Sequence, residues 1–194
     1  MSEPFRSPLL IGVGGLVASG KSSVARALAE SLGVSRIEAD RVRDSLLREA
    51  PGSGVHESQW ARHFEPEFES EVYRELLRRA EIDIASRRSV VLDACFPRST
   101  QREAARGLAG RFGARFVFVE CRVDETTHRK RLVEREAHPG ERGWMEIHRD
   151  LAERWETTKG LSPDEHWIAD TTRPLEETIR WIAERLGRLG LHGV

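Results

Sequence analysis

Leu9-Leu10-Ile11-Gly12-Val13 is followed by Gly15-Leu16-Val17-Ala18-Ser19-Gly20-Lys21-Ser22, and then by Val24, Ala25, Leu28, Ala29 and Leu32 at helical spacing. The first run reads as a buried strand and the last as an amphipathic helix that Gly33 can stop. The segment between them satisfies G-x-x-x-x-G-K-[ST] in full. Gly15 and Gly20 lack Cβ atoms, so the loop can take positive φ and bring its amides, those of Ala18, Ser19 and Ser23 included, against a phosphate. The helix start adds unpaired N–H groups and the positive end of a dipole. Lys21 is placed to reach β- and γ-phosphates as a point charge, and Ser22 to ligate Mg²⁺ through its hydroxyl. The expected ligand is therefore ATP with Mg²⁺.

Outward from this loop, short apolar runs alternate with helical patterns. Strands are expected at Arg36 to Ala39, Ser89 to Leu92 with Asp93 at its end, Phe116 to Val119 and Trp167 to Ala169. Helices are expected at Arg41 to Glu49, Pro66 to Ser86, Thr100 to Phe112, Thr126 to Glu136 and Ile147 to Thr158. A final helix starts at Pro174 with Leu175, Ile179, Ile182, Ala183 and Leu186 inward. Strands that are apolar on both faces and separated by helices imply a parallel sheet covered on both sides, a three-layer α/β/α fold. No repeat or linker divides the chain, so one domain is expected over 1–194.

In an open parallel sheet, chemistry gathers beyond the C-terminal ends of the strands. Two carboxylates fall there. Asp93 is placed to hold Mg²⁺ through water or to orient an arginine. Asp40 precedes Arg43 by one helical turn and is placed to take the proton of a hydroxyl acceptor. Asp40 also suits the N-cap of the Arg41 to Glu49 helix. Further along, Arg131 and Arg135 share a helix face within a dense run of cations. Forked guanidinium groups suit the charge that phosphoryl transfer spreads over equatorial oxygens. The Pro139 to Gly143 loop reads as the hinge of a lid over about 129–146.

Composition narrows the partners. Thirty-one Lys and Arg against 32 Asp and Glu give a net charge of −1, which offers no global footprint for nucleic acid or anionic membrane. Cys95 and Cys121 read as reduced, buried thiols. No secretory core or membrane span is evident, so a cytoplasmic location is expected. The histidines have no zinc-type spacing and read as surface or loop residues. Of the five tryptophans, Trp60 and Trp144 stand nearest the expected site. Asp170-Thr171-Thr172 can border the nucleotide base.

On Gly15 to Ser23, Ala39-Asp40-x-x-Arg43, Val90 to Phe96 with Arg102, Arg131-Leu132-x-x-Arg135 and Asp170-Thr171, the chain resembles the stand-alone AAA-type P-loop kinases. That group is related to polynucleotide kinase, gluconate kinase and zeta-toxin-like enzymes. The resemblance implies an ATP/Mg²⁺ phosphotransferase with a five-stranded parallel sheet in order 2-3-1-4-5 and a helical lid. It implies Asp40 as general base, Arg43 as its assistant at the acceptor or transferred phosphate, and Arg131 and Arg135 as lid arginines. The acceptor-side insertion, about 49–67, matches no relative, so the acceptor does not transfer. A small hydroxyl acceptor is the leading expectation. A 5′-hydroxyl polynucleotide kinase, a toxin-like kinase and a nucleotide-dependent switch stand as alternatives.

Overall fold

The computed structural model describes residues 7–49, 66–137 and 143–189. Five strands alternate with helices: β1 (Leu9–Gly14), α1 (Lys21–Leu32), β2 (Ser35–Glu38), α2 (Ala39–Glu49), α3 (Pro66–Ala85), β3 (Val90–Asp93), α4 (Ser99–Arg111), β4 (Arg115–Arg122), α5 (Glu125–Glu136), α6 (Trp144–Glu153), β5 (His166–Asp170) and α7 (Leu175–Arg188). The strands form one parallel sheet in the order β2-β3-β1-β4-β5. This is the order expected, and with β1 central every residue of that strand is buried.

Alternation along β1 divides the core. Leu10 faces a cluster with Val72, Leu76, Leu92, Phe96 and Phe118, beneath α2, α3 and α4. Leu9, Ile11 and Val13 face a second cluster with Val24, Leu28, Trp167 and Ile182, beneath α1 and α7. Successive side chains point to opposite faces, so one apolar strand supplies both cores. A third, smaller cluster joins Val17 of the glycine-rich loop to Leu132, Ile147 and Leu151 of α5 and α6. It seats those two helices over the strand ends.

Several local expectations shift. The second helix starts at Ala39, not Arg41, so Asp40 lies inside its first turn and bonds the Arg43 side chain instead of capping the backbone. Helix α6 starts three residues earlier than Ile147 and stops at Glu153, before Thr158. In α7 Leu175, Ile179, Ile182 and Leu186 face the core as expected and Thr178 joins them, while Ala183 is exposed. The threonine turns inward because its hydroxyl is 3.2 Å from the Asp170 carbonyl, which accepts its proton. Gly33 ends α1 at φ +63 as expected. The expected hinge lies outside the described residues except for Gly143, and 50–65 of the acceptor-side insertion, with Trp60, lies outside them too.

Arg102 is the largest polar side chain within the core, 1% exposed. Its guanidinium donates to the carbonyls of Phe96 (2.6 Å), Pro97 (3.1 Å), Glu156 (3.0 Å) and Thr157 (2.8 Å). One side chain thus staples the turn after β3 to the segment after α6. Buried charge is tolerated because four carbonyl dipoles satisfy it.

Candidate active site

The loop between β1 and α1 has the backbone its sequence requires. Gly15 has φ +139 and Gly20 φ +86. A Cβ on Gly15 would lie 2.6 Å from the Cys121 carbonyl oxygen, so only glycine fits. Ala18 also sits at φ +63, an unfavourable value for a residue with a Cβ, at the loop's apex. The Gly15 N–H donates to the Cys95 carbonyl (3.1 Å) and the Ser19 N–H to the Leu16 carbonyl (3.1 Å), which anchors both ends of the curl.

Two clefts flank this loop. The first is lined by Ala18, Gly20, Ser22, Ser23, Arg131 and Thr171, among others. Arg131 Nη2 donates to the Thr171 carbonyl at 2.9 Å, while its buried Nη1 has no partner among the described residues. That nitrogen lies 3.4 Å from where a Cβ on Gly20 would stand. An unsatisfied guanidinium N–H beside a curl of amides and a helix N-terminus fits a phosphate oxygen. Thr171 Oγ1 shares its proton between the carbonyls of Ser19 (2.6 Å) and Arg122 (2.9 Å), tying β5 to the loop.

The second cleft, of about 210 Å³, is lined by Asp40, Arg43, Tyr73, Cys95, Trp144 and Leu151, among others. Asp40 is largely exposed and ion-paired with Arg43, whose side chain is mostly buried. Arg135 lies 3.6 Å over the Trp144 ring, linking α5 to α6, a cation–π contact. Lys21 and Arg135 line both clefts.

The oxygens suited to a metal meet at the head of α1. Ser22 Oγ donates to Asp93 Oδ1 at 3.2 Å. Asp93 Oδ2 accepts from Arg36 Nη1 at 3.2 Å, and Arg36 Nη2 pairs with Glu38 at 2.9 Å. Burial pushes the Asp93 carboxyl up from its ordinary value, against the pull of Lys21, the Ser22 hydrogen bond and Arg36. A desolvated carboxylate beside a hydroxyl is a hard-oxygen pair that fits Mg²⁺. Burial pulls the Lys21 ammonium down, but the charges of Cys95, Asp93 and Asp40 outweigh it and the net shift is upward. Burial pushes the Cys95 thiol up. Burial likewise pushes Cys121 up to about 12, and both cysteines are free thiols.

Four contributors escape local patterns. Arg36 reads as one more polar strand residue, yet it holds Asp93. Tyr73 reads as helix core, and it is 7% exposed, but its hydroxyl accepts the Phe96 N–H at 2.7 Å beside the second cleft. His128 and His148 are half-buried against the loop and each other, not free on the surface. His128 Nε2 donates to the Val17 carbonyl at 2.6 Å, and the two rings meet edge to face at 4.5 Å. The i, i+4 spacing of His128 and Leu132 is the one signal that could have pointed to His128, because Leu132 lies in the same seat. His56, His63 and His138 lie outside the described residues. Among the described residues, no three His, Cys, Asp or Glu form a metal cluster. No described helix is long and apolar enough to cross a membrane.

Known proteins share this fold. A family model described as an AAA domain matches residues 10–155. No curated protein matches the chain. Among solved structures, a gluconokinase from Sinorhizobium meliloti 1021 is 23% identical, with a TM-score of 0.65 over 96% of this chain and 95% of its own. The Mycobacterium tuberculosis APS kinase CysC, in complex with AMPPNP and APS, is 22% identical, with a TM-score of 0.66 over 95% of this chain and 99% of its own. Chaetomium thermophilum Kti12, in complex with ADP-AlF3, is 18% identical, with a TM-score of 0.66 over 96% of this chain and all of its own. With the glycine-rich loop, the strand order and the family match in agreement, the chain belongs to the AAA domain family and has the P-loop kinase fold.

Proposed function

We propose that the chain is an ATP- and Mg²⁺-dependent phosphotransferase that moves the γ-phosphoryl group to a hydroxyl of a small acceptor. The observation that carries this is the sharing of Lys21 and Arg135 by the two clefts. Two cations at the junction of a phosphate cradle and a second pocket suit a phosphoryl group passing from one to the other. The solved relatives named for gluconate and APS phosphorylation support the same reaction class.

Each residue then has a task. The loop amides of Gly15, Ala18, Ser19, Gly20 and Ser23 hold the phosphate oxygens, and Thr171 braces the loop. Ser22 and Asp93 hold Mg²⁺, which when bound neutralises charge on the β- and γ-oxygens. Asp40 accepts the acceptor's hydroxyl proton, the acceptor oxygen bonds to the γ-phosphorus, and the bond to the bridging oxygen breaks to release ADP. Arg43 orients Asp40 through their ion pair. Lys21, Arg131 and Arg135 meet the charge on the transferred group. The chain acts as one kinase unit, with the lid over about 129–146.

A cleft of about 210 Å³ favours a small acceptor, since sites for drug-sized ligands run to about 300–1,000 Å³. Asp40→Asn tests the assignment. Label transfer from γ-labelled ATP to an acceptor should fall about 1,000-fold, while ATP binding measured by calorimetry stays within about threefold. Retained transfer would remove Asp40 as the base; loss of ATP binding as well would show that it serves the fold.

A further inference from the structure

The cleft beside Lys21 is lined by charged and by apolar side chains. Besides the charges already described, with Glu38, Asp44, Glu69 and Arg154, its wall includes Val17, Ala94, Ile147 and Leu151, with the indole of Trp144. Val17, Ile147 and Leu151 pack as one apolar cluster. Ile147 and Leu151 stand one helical turn apart on α6 and so present one continuous strip.

One uncharged polar group, the Tyr73 phenol, also lines this cleft. Tyr73 is buried, and its oxygen accepts the Phe96 N–H at 2.7 Å. Its own proton has no acceptor among the described residues. Burial pushes the phenol well above its ordinary value, so that proton stays in place at neutral pH. A phenol that already accepts from the backbone can still donate one hydrogen bond, and a ligand is left to take it.

We propose that the acceptor is a small alcohol with a mainly apolar, ring-sized body and a neutral carbonyl or ether oxygen that accepts the Tyr73 proton. This rests on the phosphotransfer reading above. A polyol fits poorly, because each hydroxyl left unpaired against Val17, Ile147 and Leu151 costs about tenfold in affinity. Arg43 is paired with Asp40 through Nη1, while its buried Nε has no partner among the described residues and is a second donor for the acceptor's oxygen.

The test offers the full chain γ-labelled ATP and Mg²⁺ with 4-(hydroxymethyl)benzamide or 2-phenoxyethanol, and with gluconate, glucose or glycerol, products being read by mass. The two apolar alcohols should give kcat/KM at least tenfold above any polyol. In parallel, methyl NMR on Ile- and Leu-labelled protein holding a non-hydrolysable ATP analogue reads binding without chemistry. The apolar alcohols should shift the Ile147 and Leu151 signals, and the polyols should not. Tyr73→Phe should raise KM for 4-(hydroxymethyl)benzamide about tenfold with a smaller change in kcat. Leu151→Asn should do the same with the Phe96–Tyr73 hydrogen bond intact, which separates recognition from folding. Preferred polyol turnover overturns the proposal, as does the absence of any shift from the apolar alcohols with the analogue bound. Shifts at Ile147 and Leu151 without phosphoryl transfer sustain this acceptor class and overturn the phosphotransfer reading instead.

Discussion

The hydroxyl of Ser22 donates to Asp93 Oδ1 at 3.2 Å, joining the first turn of α1 to the end of β3 across 71 residues of chain. Ser22→Ala and Asp93→Asn each remove one side of that pair. Both should lower phosphotransfer at fixed Mg²⁺ by about 100-fold and weaken Mn²⁺ binding in the presence of ATP, read by electron paramagnetic resonance. Asp93→Asn should change the stability of the metal-free protein by less than about 1 kcal/mol, because relief of the burial that pushes the Asp93 carboxyl up offsets the lost pairing with Arg36, which Glu38 still holds at 2.9 Å. Unchanged metal binding in both variants would move the metal elsewhere.

Acidity should loosen the lid. His148 is held below its ordinary value by burial and by the neighbouring His128. A histidine depressed in the fold contributes stability above its unfolded value, near 6.5, and that contribution is lost as pH falls through the depressed value. The protection factors of α6 amides, exchange rates corrected for the slower intrinsic exchange in acid, should therefore fall as pH drops below about 6.5. His148→Phe should flatten that dependence; an equal loss of protection in the variant would assign the effect to other groups.

Gly14→Ala should destabilise the protein by about 1–3 kcal/mol. The new Cβ would lie 2.5 Å from the Phe118 ring and 2.9 Å from the Cys95 carbonyl oxygen, and Gly14 is fixed in register opposite Glu120. Gly107→Ala is the contrasting case. It lies within α4 with nothing within 4 Å of the added atom, so it should stabilise by about 0.5–1 kcal/mol. Chemical denaturation of the two variants decides the matter; equal effects would refute the packing account.

What could be read in the sequence follows the range of the interactions. The curl at Gly15 to Ser22 was legible because its task is local: two glycines, a lysine and a serine act within one turn of chain. The burial of α1 and α3 was legible because one apolar face repeats at helical spacing. Strand ends locate Asp93 and Asp40 without reference to any partner. Arg36 could not be singled out in that way, since its role is set by a strand pairing that brings Glu38 opposite Asp93. Tyr73 could not either, because period alone does not distinguish a core phenol from one whose proton is unused. Asp40 sits in the first turn and not at the cap because α2 starts at Ala39, directly after β2, which leaves its carboxylate to pair with Arg43.

Lys21 and Arg135 belong to both clefts, and the consequence is thermodynamic. A ligand in either cleft alters the field and position of the same two cations, so the two affinities are linked. Linkage is reciprocal: the factor by which nucleotide changes acceptor affinity equals the factor by which acceptor changes nucleotide affinity. An acceptor that shares these cations with a phosphate therefore reports on the nucleotide without touching it. Synergy or antagonism between the two ligands thus follows from two side chains, in whichever order the ligands arrive.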